Sequence, residues 1–119
     1  MITEFGKILR KLRIDKGLKL FNMAEALGKS SAWLSYIETG RQKVPMGLAD
    51  EIADLYSLSA DERGMLNEAA AKSIKAFKFN LGKNPSKIRY NTAYALARNF
   101  EKIDDKTLAE FMKLLEEKD

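Results

Sequence analysis

A glycine at position 28, set between two short amphipathic segments, constrains this chain more than any other feature of its sequence. Residues 20–27 bring Met23, Ala24 and Leu27 to one side at helical spacing, and Ser31 to Thr39 do the same with Leu34, Ile37 and the edge of Trp33. Ser30 is placed to cap the second segment. Gly28 must reach a positive φ to turn the chain within so few residues. Ala24 must be small, because the helix after the turn crosses against it. Two short helices joined this tightly form a helix-turn-helix, and Ala24, Gly28, Leu34, Ile37, Glu38 and Gly40 occupy the positions that unit requires.

The flanking sequence supplies the rest of a helical domain. Thr3 can cap a first helix whose Phe5, Ile8, Leu9 and Leu12 form one stripe and whose Lys7, Arg10, Lys11 and Arg13 form a basic face, with Gly17 as its stop. Val44-Pro45 leads into a fourth helix carrying Leu48, Ile52, Leu55 and Tyr56. Ser59 and Glu62 make a capping box for a fifth, with Met65, Leu66 and Ala69 as its apolar positions. After residue 73 the pattern changes. Phe77-Lys78-Phe79-Asn80-Leu81 alternates apolar and polar, which predicts a short strand over 77–81. Asn84 followed by Pro85 predicts a helix over 85–103, with Ile88, Thr92, Ala95, Leu96, Phe100 and Ile103 in its stripe. Asp104-Asp105 opens a last helix over 105–117 with Leu108, Phe111, Met112 and Leu115, and the two fold back as a hairpin. The division expected is 1–73 and 74–119.

Composition removes whole classes of chemistry. The 119 residues include no Cys and no His, which excludes disulfides, thiolate nucleophiles, Cys/His zinc sites and imidazole acid–base catalysis. Asp50, Asp54, Asp61 and Glu62 are scattered along an acidic helical face with no glycine-rich phosphate loop beside them, so no enzyme is expected, and no cofactor or metal. Apolar runs are too short to span a membrane, and charges interrupt the start of the chain; a soluble, cytoplasmic, nucleoid-associated protein is the expectation. The net charge of +4 hides a pattern. Residues 1–45 and 74–91 each carry an excess of five positive charges, while 46–73 carry an excess of four negative ones. Basic blocks of this kind attract phosphate backbones or an acidic partner.

Residues 5–56 resemble the Cro/cI-type repressors, the XRE family, with FGKILRKLRIDKGLKLFNMAEALGKSSAWLSYIETGRQKVP as the matching text. The resemblance implies an all-α fold: a five-helix lambda-repressor-like domain, followed here by the short strand and the C-terminal helical hairpin. It also implies a sequence-specific regulator of transcription bound to double-stranded DNA. In such repressors the third helix enters the major groove, which assigns base contacts to Ser31, Ala32, Ser35 and Tyr36. Phosphate contacts fall to Lys19, Lys29, Ser30, Thr39, Arg41 and Lys43. Arg13 and Glu38 match a pair that in the family joins the first helix to the end of the third. Three positions depart from the pattern: Leu20 stands where a Gln usually begins the second helix, Lys29 where a small apolar residue follows the glycine, and Trp33 is large for its place.

The C-terminal part is expected to hold two copies together. A lone strand needs a partner, and the same strand of a second copy would supply one about a two-fold axis. Phe77, Phe79, Leu81, Phe100, Phe111 and Met112 are the expected dimerisation residues, with the tucking of Phe77 and Phe79 under their own domain as the alternative. A homodimer agrees with the inverted half-sites that such repressors bind. The chain also resembles, more loosely, small phage or mobile-element regulators with a helical tail, some of which accompany a metallopeptidase. Two other functions stay open: an antitoxin whose tail binds a toxin, and an adaptor that no longer meets DNA. Lys75, Lys78, Lys83, Lys87 and Arg89 either extend the phosphate track or receive an acidic partner.

Overall fold

The computed structural model describes residues 1–117. Its elements are α1 (Glu4–Lys16), α2 (Leu20–Ala26), α3 (Ser31–Glu38), α4 (Leu48–Leu55), α5 (Ala60–Lys72), α6 (Lys87–Asn99) and α7 (Asp105–Glu117), with a 3-10 turn over Phe100–Lys102. The chain divides into two units at Phe77 and Lys78.

In the first unit five helices close around one core. Phe5, Leu9, Met23, Leu34, Ile37, Ile52 and Leu66 are wholly buried, so every helix from α1 to α5 contributes to it. Local chemistry sets the helix ends. The Thr3 hydroxyl accepts from the Gly6 N–H at 3.0 Å, Ser30 from Trp33 at 3.1 Å, and Ser59 from Glu62 at 3.1 Å. The Glu62 carboxylate returns the favour at Ser59, accepting its N–H at 2.9 Å and completing the box. Gly28, at φ 72°, lets the chain leave α2 so that the Lys29 N–H still donates to the Ala24 carbonyl at 2.9 Å.

One contact of this unit has no local signature. The start of α1 lies against the end of α3, where both the N–H and the hydroxyl of Thr3 donate to the Glu38 carbonyl at 2.9 Å. A Cβ on Gly6 would come within 2.2 Å of that same oxygen. Glycine here is therefore a requirement of helix approach, with the two backbones nearly touching.

The second unit differs from its sequence expectation. Among the described residues there is no β-strand, and the fold is all-α throughout, seven helices ending in a helical hairpin. Residues 77–81 form neither helix nor strand. A strand exists only as half of a ladder, and no second extended segment of the chain runs beside this one. Instead the Asn80 side chain accepts from the Gly82 N–H at 2.8 Å, and Gly82 at φ 83° turns the chain away. The helix expected over 85–103 is also shorter. Its cap is Ser86, which accepts from the Arg89 N–H at 3.2 Å, so α6 starts at Lys87. It gives way after Asn99 to the 3-10 turn that carries Phe100. The Asp104 carboxylate caps α7 by accepting from the Thr107 N–H at 2.9 Å.

Candidate nucleic-acid interface

The third helix is held by its inner face and presents its outer one. Leu34 and Ile37 are wholly buried against the core, while Ser31, Ala32 and Tyr36 are exposed and Ser35 is half-buried. The first turn therefore offers a hydroxyl and a methyl to solvent at adjacent positions, with a second hydroxyl one turn later. These groups match the donors, acceptors and thymine methyls of base edges.

Two cations, Lys29 and Arg41, lie against aromatic rings of that helix. Lys19, Lys29, Arg41 and Lys43 are all exposed. The Arg41 guanidinium lies 5.3 Å from the centre of the Tyr36 ring and the Lys29 ammonium 5.2 Å from that of Trp33. Each stack holds a flexible cation beside the helix without neutralising it. Trp33 is thus half-buried, with its ring serving as the seat of Lys29. Leu20, at the start of α2, is half-buried and packs on the core, so the position offers no polar contact.

The hydroxyls near the helix ends are not equivalent. Ser30 accepts from the Trp33 N–H, which leaves its own proton free to donate to a phosphate oxygen. Thr39 donates its proton to the Ser35 carbonyl at 2.9 Å, so its hydroxyl offers only an acceptor to an incoming anion. Lys43 has neighbours that sequence reasoning did not group with it. Together with Lys72 and Lys75 it lines a shallow groove of about 430 Å³ floored by Phe5, Val44 and Ala69. Lys72 lies far from the helix-turn-helix in sequence and reaches it only because α5 packs on α1.

Beneath the surface Arg13 and Glu38 form a two-pronged ion pair. Glu38 is 2 % exposed and Arg13 7 %. Arg13 Nη2 donates to Glu38 Oε1 at 3.0 Å and Nη1 to Oε2, with Nη1 also 3.6 Å from the Met23 sulfur. Arg10, largely exposed, adds a contact to Oε1 at 3.6 Å. Both partners lie almost wholly inside, so the pair links α1 to the C-terminal end of α3 and sets the angle at which α3 leaves the core.

The acidic side is occupied with itself. Arg63 joins Asp50 at 3.1 Å and Asp54, and Asn67 donates to Asp50 at 3.0 Å. The Asn67 hydrogen bond, with help from Arg63, holds the Asp50 carboxyl below its ordinary pKa. These carboxylates bridge α4 and α5 and carry no further arrangement for chemistry.

Residues 4–66, just over half of the chain, match the family described as "Helix-turn-helix domain". The chain belongs to the XRE/Cro-type helix-turn-helix family. No curated protein and no solved structure matches it. The matched module is a non-catalytic DNA-binding one, and it spans α1 to α4 and half of α5. A DNA-binding regulatory role in general follows from the family. Among the described residues, no helix is long and apolar enough to cross a membrane.

Proposed function

We propose that this protein is a sequence-specific double-stranded DNA-binding regulator, acting as a repressor on an inverted-repeat operator as a homodimer. One observation carries the reading: α3 is anchored through Leu34, Ile37 and the buried Glu38, yet leaves Ser31, Ala32 and Tyr36 bare between stacked cations. Ser31, Ala32, Ser35 and Tyr36 read bases. Lys19, Lys29, Ser30, Arg41 and Lys43 hold phosphates, and Thr39 accompanies them as a helix-end group. Base readers confer preference and phosphate contacts confer most of the affinity.

The second copy is joined through the C-terminal unit. Among the described residues beyond 73, not one is buried, although Phe77, Phe79, Phe100, Phe111, Met112 and Leu115 are exposed. That much bare apolar surface marks an association site. Two half-sites one helical turn apart then match a two-fold dimer.

Selection of bound duplexes from a random pool tests the reading. A recovered inverted repeat supports it, and Ser31→Ala with Ser35→Ala then relaxes base preference while retaining non-specific affinity. Equal loss on every sequence would remove α3 from base reading. A C-terminal unit that brings down a different protein in place of a second copy would move the chain to the antitoxin reading.

A further inference from the structure

We infer that α6 is a second DNA-binding element, one that holds the phosphate backbone and reads no bases. The inference rests on the DNA-binding reading above and extends it to a helix outside the family domain.

The first observation is electrostatic. Between Glu68 and Glu101 the chain has no acidic residue and seven Lys and Arg. None of the ion pairs among the described residues involves a cation of this stretch. Runs of cations on folded proteins are commonly interleaved with carboxylates that neutralise them. Along this stretch no carboxylate alternates with them, and the acidic residues of the second unit begin only at Glu101.

The second observation is the arrangement on the helix. Lys87, Tyr90, Asn91, Tyr94 and Arg98 recur at intervals of three and four, so they share one face. All five are exposed. The half-buried positions of α6 are Ala93, Ala95 and Leu96, none of which lies on that face. The Arg98 guanidinium lies 5.3 Å from the centre of the Tyr94 ring, which holds it in line with the other members. The face is a cation, two tyrosine hydroxyls, an amide and a second cation, spread over about 16 Å of helix.

Every one of these groups can donate a hydrogen bond, and none is a carboxylate. A duplex presents a repeating line of anions, about one per 1.7 Å of axis, which suits donors strung along a straight helix. Residues 74–86, between α5 and α6, carry neither helix nor strand. Contacts by α6 to phosphates add affinity and no sequence preference.

The test is the salt dependence of full-length protein binding to a mixed-sequence duplex of about 40 base pairs, a length chosen to leave flanks beyond one site. Loss of two phosphate contacts lowers the slope of log K against log[salt] by about 1.8. Lys87→Gln with Arg98→Gln should therefore bind with a slope shallower by that amount. Between 50 and 200 mM salt the wild type should lose about twelvefold more affinity than the variant. Lys106→Gln with Lys113→Gln, on α7, should keep the wild-type slope, as should the charge-preserving Lys87→Arg with Arg98→Lys. A wild-type slope in Lys87→Gln/Arg98→Gln, or a lost slope in the charge-preserving variant, overturns the role of α6. Absence of salt-dependent binding by the wild type would instead overturn the DNA-binding reading on which it rests.

Discussion

The two units of this chain are built from helices of similar length and opposite economy. Five helices in the first unit bury Phe5, Leu9, Met23, Leu34, Ile37, Ile52 and Leu66 completely. The helices of the second unit hold no fully buried residue, although α7 carries a regular apolar stripe of its own. Amphipathicity is thus a statement about what a helix needs, and burial depends on whether the same chain supplies it. The first unit contains its own complement. The second has helices that are satisfied at their ends, by Ser86 and Asp104, and unsatisfied along their sides. Isolated helices of this length are marginal in water, and the proposed association would give the second unit the cover that the first supplies for itself.

Substitutions in each unit put the contrast to the test. The largest effect is expected from Phe111→Ser with Met112→Ser. Full burial of such side chains contributes roughly 1.5–3 kcal/mol each, and in a two-fold dimer each change counts twice, so on the order of 6 kcal/mol or more of association energy is at stake. Sedimentation equilibrium should show a monomer, while the urea midpoint of the first unit stays unchanged. A variant that remains dimeric would place the interface elsewhere.

Glu38→Ala acts on the other unit. It leaves the Arg13 guanidinium buried without its carboxylate, and a loss of about 3–5 kcal/mol is expected in urea unfolding. Stability within about 1 kcal/mol of wild type would mean that the pair is hydrated in solution and does not orient α3.

Gly6→Ala forces a methyl against the Glu38 carbonyl. Overpacking of this kind typically costs about 1–3 kcal/mol, and here it also separates α1 from α3. Calorimetry should register a lower Tm. An unshifted Tm would indicate that the helices can part without penalty.

The smallest effect concerns the capping box. Hydrogen bonds from the Ser59 N–H and hydroxyl partnership hold the Glu62 carboxyl below its ordinary pKa. A carboxyl depressed in the folded state stabilises above its unfolded pKa, and the benefit is lost as pH falls through the lowered value. Glu62→Gln should therefore flatten the decline in stability on acidification, read as Tm against pH below about 5. An identical acid profile would show that the box contributes no pH-dependent stability.

The legible and illegible parts of this molecule separate by the range of the interactions involved. Ser30, Ser59 and Asp104 cap helices because a side chain reaches an amide three residues ahead, and that information is local. The turn at Gly28 is local too. The alternation over 77–81 was also local, and it misled: period two describes a segment able to form a strand, while a ladder requires a second segment that the chain does not place there. Asn84-Pro85 misled in a milder way, since Ser86 offered a closer cap for α6.

The helix-turn-helix, its caps and turns, the absence of imidazole and thiol chemistry and the uneven distribution of charge are all legible in the order of residues. All of these depend on residue type and on neighbours within about one or two turns. Tertiary structure alone decided that Gly6 must be glycine, since its constraint is a carbonyl of Glu38 on another helix. It also decided that the Thr39 proton is spent on Ser35, that Lys72 and Lys75 stand beside Lys43, and that the aromatic residues after 73 find no core in their own chain. Each of these depends on which surfaces meet, and contact between distant segments is set by the packing of the whole domain.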